Sequence, residues 1–195
     1  TPKITFILIN KSKGEIVMVK RIKRLLSVLL MLVIMTSNVS YAREIDWGDF
    51  AIPTRTSVCL PQSILEAQDI DNTQRRGRIL STAMLSITNE QDGTLYIAVN
   101  TSAHKNVDKI YQTVFLDQWD EEKEDWVQIG YWEFVRDKEE ESDGQLSSFP
   151  LGFTVKDCQL NKYYRARAMH LVEIGDNMEG KATQTDGVLL TDHEV

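Results

Sequence analysis

After Arg78 the chain alternates hydrophobic and polar residues with the period of two that is typical of β-strands. The segment ILSTAMLSITN (residues 79–89) places Ala83, Leu85 and Ile87 on one face. The segment TLYIAVNTSA (residues 94–103) does the same with Leu95, Ile97 and Val99. Asp92-Gly93 lies between them and is a dipeptide that favours a tight turn. The sequence therefore predicts a β-hairpin.

A second hairpin is predicted in the most aromatic part of the chain. One strand runs from about Lys109 to Trp119 and the next from about Trp126 to Val135, with the acidic turn DEEKED between them. The first of these strands is hydrophobic on both faces, which indicates that both faces are covered. The charged loop that follows, Arg136–Gly144, is too polar to enter a core.

Three further strands complete the predicted fold: LSSFPLGFTV, YYRARAMHLVEI and GVLLT. Pro150 in the first of them cannot donate a ladder hydrogen bond, so this strand belongs at an edge or a bulge. About seven strands with regularly spaced turns predict an all-β fold over residues 78–195, an antiparallel sandwich of two sheets. Residues 43–77 lack periodicity and are expected to be irregular, with a short helix allowed at Ser63–Gln68.

The N-terminal region carries signs of export. Residues 18–42 combine a basic start, an apolar run of eleven residues (Leu25–Met35) and small residues before a cleavage point, which predicts a secretory signal peptide. The apolar run is shorter than the roughly 18 residues that a membrane span needs. Residues 1–17 precede a plausible start at Met18 and are interpreted as untranslated leader sequence. We therefore expect a secreted protein that leaves the membrane after cleavage.

Cleavage changes the charge balance. The 22 Lys and Arg and 29 Asp and Glu residues fall to 15 and 28 when residues 1–42, with seven basic residues and one acid, are removed. The mature net charge is then −13. Since affinity for phosphate groups depends on clustered Lys and Arg, nucleic acid and anionic membranes are not expected partners.

Two cysteines, Cys59 and Cys158, remain after cleavage. In an oxidising compartment a single disulfide between them is the simplest expectation. The alternative is a pair of free, buried thiols.

The stretch DCQLNKYYRARAMH combines Tyr, Arg, Cys and His within fourteen residues and invites a catalytic interpretation. As a strand, however, it places Arg165 and Arg167 on one face, as expected for a solvent face, and His170 on the face of the small residues. A single His in that position favours a hydrogen-bonded, half-buried side chain over a catalyst. One hydroxyl of the Tyr163-Tyr164 pair is expected to form a tyrosine corner with nearby backbone.

This part of the chain also resembles known domains. FTVKDCQLNKYYRARA is similar to the corresponding region of fibronectin type III and related immunoglobulin-like domains. IAVNTSAHKNVDKIYQTVFLDQWDEEKEDWVQI, YYRARAMHLVEIGDNMEG and TQTDGVLLT resemble a family of small secreted Gram-positive (clostridial-type) proteins of unknown function. The resemblance covers about residues 80–191. It implies an immunoglobulin/fibronectin type III-like sandwich and export, and it carries no activity or catalytic residues.

Two acidic stretches, Asp117–Asp125 and Asp137–Gly144, are candidates for calcium binding. Asp117, Asp120 and Asp125 provide oxygen ligands of the kind that Ca²⁺ prefers. The spacing does not match an EF-hand loop, and solvated, solubilising loops are the favoured interpretation. We expect no cofactor, and the sequence contains none of the common catalytic motifs.

Aromatic residues are concentrated in the same hairpin. Trp119, Trp126, Tyr131 and Trp132 are the candidate contact residues, because exposed aromatic rings on a sheet can stack on sugars or anchor a protein partner. Packing in the core or at an edge is the favoured alternative, since Trp126 and Trp132 share a strand face with Phe134.

The sequence thus predicts a secreted, non-catalytic sandwich that binds cell-wall glycan or a protein partner, or is associated with the envelope. One alternative is a structural protein with calcium-stabilised acidic loops. Another is a small secreted hydrolase that uses His170.

Overall fold

The computed structural model describes residues 56–72 and 79–195, all of which belong to one compact unit. The predicted leader and signal peptide lie outside the described residues. The described residues form nine strands, namely β1 (Glu66–Asp71), β2 (Leu80–Asn89), β3 (Leu95–Ala103), β4 (Lys109–Asp120), β5 (Asp125–Asp137), β6 (Ser148–Val155), β7 (Tyr163–Ile174), β8 (Asn177–Gln184) and β9 (Val188–Leu189). A 3₁₀ turn, Lys138–Glu140, follows β5.

The strands form two sheets in which every named pair is antiparallel. The first sheet has the order β1-β2-β3-β6, and the second has the order β5-β4-β7-β8 with β9 paired to β7. This arrangement confirms the predicted all-β fold and is consistent with an immunoglobulin/fibronectin type III-like sandwich. β6, which carries Pro150, lies at the edge of its sheet, as predicted.

Two strands were not predicted, and both are polar. β1 covers residues for which a short helix and irregular structure were expected, and that expectation is wrong because β1 pairs with β2 along its whole length. β8 (NMEGKATQ) lacks hydrophobic alternation because its inward side chains form hydrogen bonds with the first sheet. Glu179 accepts from the backbone N–H groups of Ile79 and Leu80 at 2.7 and 2.9 Å, and Lys181 Nζ donates to Asp71 Oδ1 at 3.2 Å.

The hydrophobic core lies between the sheets. β4 is the clearest case, because its even-numbered residues from Ile110 to Leu116 point inward and are completely or almost completely buried. Leu85 and Ile87 of β2 and their counterparts on β3 meet them from the opposite sheet. Each large aliphatic side chain removed from water contributes about 1.5–3 kcal/mol.

The predicted tyrosine corner is present at Tyr164. The ring is completely buried, and its hydroxyl donates to the backbone carbonyl of Gln159 at 2.8 Å. Burial raises the pKa of Tyr164 to about 12, so the phenol stays protonated and remains a donor. The loop between β6 and β7 is thereby tied to the start of β7.

Replacing Tyr164 with Phe tests the corner. The Tyr164→Phe variant leaves a carbonyl without its partner, so the free energy of unfolding is expected to fall by about 1–3 kcal/mol. Urea denaturation measures the loss, with Tyr163→Phe, the half-buried neighbour, as the matched control. Equal losses in the two variants would contradict the corner.

Candidate functional site

A β-bulge in the second hairpin decides where the aromatic residues point. The register between β4 and β5 shifts between Leu116 and Asp117, so that Leu116 pairs with Gly130, Asp117 pairs with Gln128, and Ile129 is the extra residue. An extra residue reverses the alternation of side chains on its two sides.

The predicted contact residues therefore separate. Trp126 pairs with Trp119, and Tyr131 pairs with Phe115, on the face of the second sheet that points away from the core. Trp132 points inward, where its ring lies 5.1 Å from that of Phe153. The prediction that Trp126 and Trp132 share a face is wrong, because it assumed an unbroken strand. The packing interpretation holds for Trp132.

The outward side chains of β4, β5 and β7 form a surface that we name the outer face: Phe115, Asp117, Trp119, Trp126, Gln128, Tyr131, Tyr163, Arg165 and Arg167. The Trp119 and Trp126 rings meet edge to face at 5.3 Å, and the Phe115 and Tyr131 rings lie 5.5 Å apart. A Cβ atom at position 187 would overlap the Trp126 ring, so Gly187 permits this packing. Half of the Tyr131 surface is exposed to solvent.

Asp117 lies at the centre of the outer face and is only 1% exposed. Its Oδ2 accepts from Arg165 Nε at 2.9 Å and from Arg167 Nε at 2.7 Å, and its Oδ1 accepts from Arg167 Nη2 at 2.9 Å. Both guanidinium groups also stack on rings, Arg165 over Trp126 at 4.8 Å and Arg167 over Phe115 at 4.9 Å. The two arginines are therefore part of a packed cluster, whereas the sequence predicted a solvated face.

The candidate calcium ligands are not brought together. Asp117 is occupied by the two arginines, Asp120 accepts from Lys123 Nζ at 2.6 Å, and Asp125 accepts from the N–H of Trp126 at 2.7 Å. Across residues 56–72 and 79–195, no three His, Cys, Asp or Glu side chains are grouped as metal ligands.

His170 lies between the two sheets and is completely buried. Its Nδ1 is 2.8 Å from Thr101 Oγ1 and its Nε2 is 2.9 Å from Thr183 Oγ1. Burial lowers the pKa of His170 to about 3, so the ring is neutral. Since both ring nitrogens are engaged and no solvent reaches them, the position of His170 gives no support to the hydrolase alternative.

Cys59 is an exposed free thiol and Cys158 is a half-buried free thiol. Burial is the main factor that raises the pKa of both groups, which makes them less reactive as nucleophiles. The disulfide between them stays a prediction.

A groove that was not predicted from the sequence lies at the end of the sandwich where β4 turns into β5. It has a volume of about 440 Å³. The residues that line it are Gln118, Trp119, Asp120, Glu121, Glu122, Val127, Ile129, Gln159 and Lys162. The feature of the sequence that could have indicated the groove is the predicted tyrosine corner, because it brings Gln159 toward β4.

Comparison with known proteins assigns a family. Residues 65–188 match the Family of unknown function (DUF6147). The chain belongs to this family. The match covers most of the sandwich, from just before β1 to the start of β9. A comparison with curated proteins finds no match to the chain. No helix in the described part of the chain is long and apolar enough to cross a membrane.

Replacing Asp117 with Asn tests the cluster on the outer face. Asp117→Asn leaves two half-buried arginines without their anion, and the expected loss of unfolding free energy is about 3–5 kcal/mol. Chemical denaturation measures it. The triple variant with Asp117→Leu, Arg165→Met and Arg167→Met should recover much of the loss, because no unpaired charge remains. A loss below about 0.5 kcal/mol in Asp117→Asn would contradict the cluster.

The buried histidine predicts a pH dependence. With a pKa of about 3 in the folded protein and about 6.5 in the unfolded chain, His170 binds its proton only on unfolding between these values. The contribution of neutral His170 to the free energy of unfolding should therefore be complete above pH 6.5. Below that pH the free energy of unfolding should fall by up to about 1.4 kcal/mol per pH unit. The charged groups that act on the ring are Asp71 and Lys181.

The measurement is the free energy of unfolding of wild type and His170→Gln from pH 7 to pH 4.5. The variant should show a shallower slope, because its residue 170 takes up no proton on unfolding while every other group is common to the two proteins. Identical slopes would contradict a neutral, buried His170.

Proposed function

We propose that this protein is an exported, non-catalytic binding module that recognises cell-wall glycan through the outer face. The observation that carries the proposal is the grouping of four aromatic rings and two guanidinium groups around one buried carboxylate on an open sheet surface. Aromatic rings bind the apolar side of a sugar ring, and amide, carboxylate and guanidinium groups bind its hydroxyls.

The rigidity of the outer face supports this proposal. The two arginines are held by Asp117 and by the rings beneath them, and Trp126 is fixed by Trp119 and Gly187. A surface that is ordered before binding loses little conformational entropy when a ligand arrives. The predicted signal peptide would place this surface outside the membrane, where wall polymers occur.

A protein partner is the second candidate. Among the described strands, β5 pairs only with β4 and so leaves one edge open, and its 13 residues include the exposed Ile129, Tyr131 and Val135. An extended segment of a partner can add to an edge of this kind. β5 contains neither Pro nor Lys, whereas the edge strand β6 carries Pro150. The bulge at Ile129 limits strand addition to the part of β5 that follows it.

Replacing Tyr131 with Ala tests the glycan proposal. Loss of one stacking ring is expected to weaken binding of purified cell wall or soluble glycan about three- to tenfold. Intrinsic tryptophan fluorescence of the exported protein, titrated with these ligands, measures the affinity. Tyr96→Ala is the matched control, because Tyr96 is 38% exposed and lies on the other sheet.

If Tyr131→Ala and Tyr96→Ala weakened glycan binding equally, the binding site would not be the outer face. No response of wild type to any wall or glycan fraction would overturn the glycan proposal and favour the partner at β5.

A further inference from the structure

The groove next to the β4–β5 turn is concave and partly apolar, unlike the flat outer face. Its volume of about 440 Å³ falls within the 300–1,000 Å³ that is typical of small-molecule sites. One wall comes from the hairpin, with the exposed aliphatic side chains of Val127 and Ile129, and the other comes from the loop between β6 and β7, with Gln159 and Lys162.

The tyrosine corner holds these two walls at a fixed separation. The Tyr164 hydroxyl donates to the Gln159 carbonyl at 2.8 Å and lies 3.1 Å from Oε1 of Gln118 on the hairpin. On the loop side, Asn161 N–H donates to Leu190 O at 2.9 Å, and Lys162 O accepts from Leu190 N–H at 3.0 Å. The groove is therefore formed by segments that the core itself positions.

Most of the charges in the groove are already paired. Lys162 Nζ lies 3.1 Å from Glu121 Oε1, and Asp120 is bound to Lys123. Glu122 adds one further negative charge. An anionic ligand would meet this excess of carboxylates. A cationic ligand would gain little attraction, because Lys162 and Lys123 neutralise two of the three carboxylates. The groove is suited to an uncharged ligand that hydrogen-bonds to amides and packs against aliphatic and indole carbons.

We infer that this groove holds a neutral pyranose, a hexose or N-acetylhexosamine unit, of the glycan that the outer face contacts. The inference rests on the proposed function and adds to it the position and the charge class of the sugar. Trp119 connects the two surfaces, since it pairs with Trp126 on the outer face and also lines the groove. A glycan chain that crosses the outer face can thus end in the groove.

The test is calorimetric titration of the exported protein with cellotetraose and chitotetraose as neutral probes and tetragalacturonate as the anionic probe. Gln159→Ala removes a side-chain amide from the groove and keeps the backbone carbonyl that Tyr164 needs, so the fold is retained. The matched control is Gln145→Ala, an exposed glutamine in the loop between β5 and β6 at the opposite end of the sandwich.

We expect a neutral probe to bind, tetragalacturonate not to bind, and Gln159→Ala to weaken the neutral probe about tenfold, as for the loss of one or two hydrogen bonds. Gln145→Ala should leave the affinity unchanged.

If Tyr131→Ala weakens binding but Gln159→Ala does not, the groove inference fails and the proposed function stands. If tetragalacturonate bound as tightly as the neutral probes, the inference that the groove holds an uncharged sugar would be wrong. If neither the probes nor purified cell wall bind, the proposed function itself fails.

Discussion

The buried carboxylate of Asp117 organises the outer face. It lies at the bulge between β4 and β5, where it accepts three hydrogen bonds from Arg165 and Arg167. These bonds hold each guanidinium over a ring, and the rings in turn keep water from the carboxylate. A buried ion pair contributes little net stability, because desolvation of the charges offsets their attraction. What it does provide here is order, since each guanidinium group is held by the carboxylate and by an aromatic ring at the same time.

Polar interactions also close one side of the sandwich. The edge strands β1 and β8 face one another, and their inward side chains form hydrogen bonds and an ion pair between Lys181 and Asp71. Further inside, His170 lies between Thr101 and Thr183. The apolar core lies mainly between β2 and β3 of one sheet and β4 and β7 of the other. At the edge opposite to β1 and β8, the partly buried rings of Trp132 on β5 and Phe153 on β6 meet and close the core.

Much of the fold was predictable because it depends on local pattern. Alternation of hydrophobic and polar residues identified seven of the nine strands, since an inward face must be apolar wherever it packs against aliphatic side chains. Pro150 predicted that β6 lies at an edge, because proline lacks an N–H group. The hydrogen bond of the Tyr164 hydroxyl was predictable because its partner, Gln159, lies only five residues away. Trp119 and Tyr131, two of the candidate contact residues, lie on the outer face, and a contact role for them is part of the proposal.

The rest required the tertiary structure, because it depends on partners distant in the chain. β8 carries no apolar pattern, since its inward Glu179 and Lys181 bind groups about 100 residues earlier. The bulge at Ile129 moved Trp126 to the outer face, and it can be seen only in the pairing with β4. The arginine cluster and the groove arise where separate strands meet. The sequence by itself determined which residues alternate and where the chain turns, because these are local properties. Only the tertiary structure decided which side chains face each other, because register and charge pairing are set between strands.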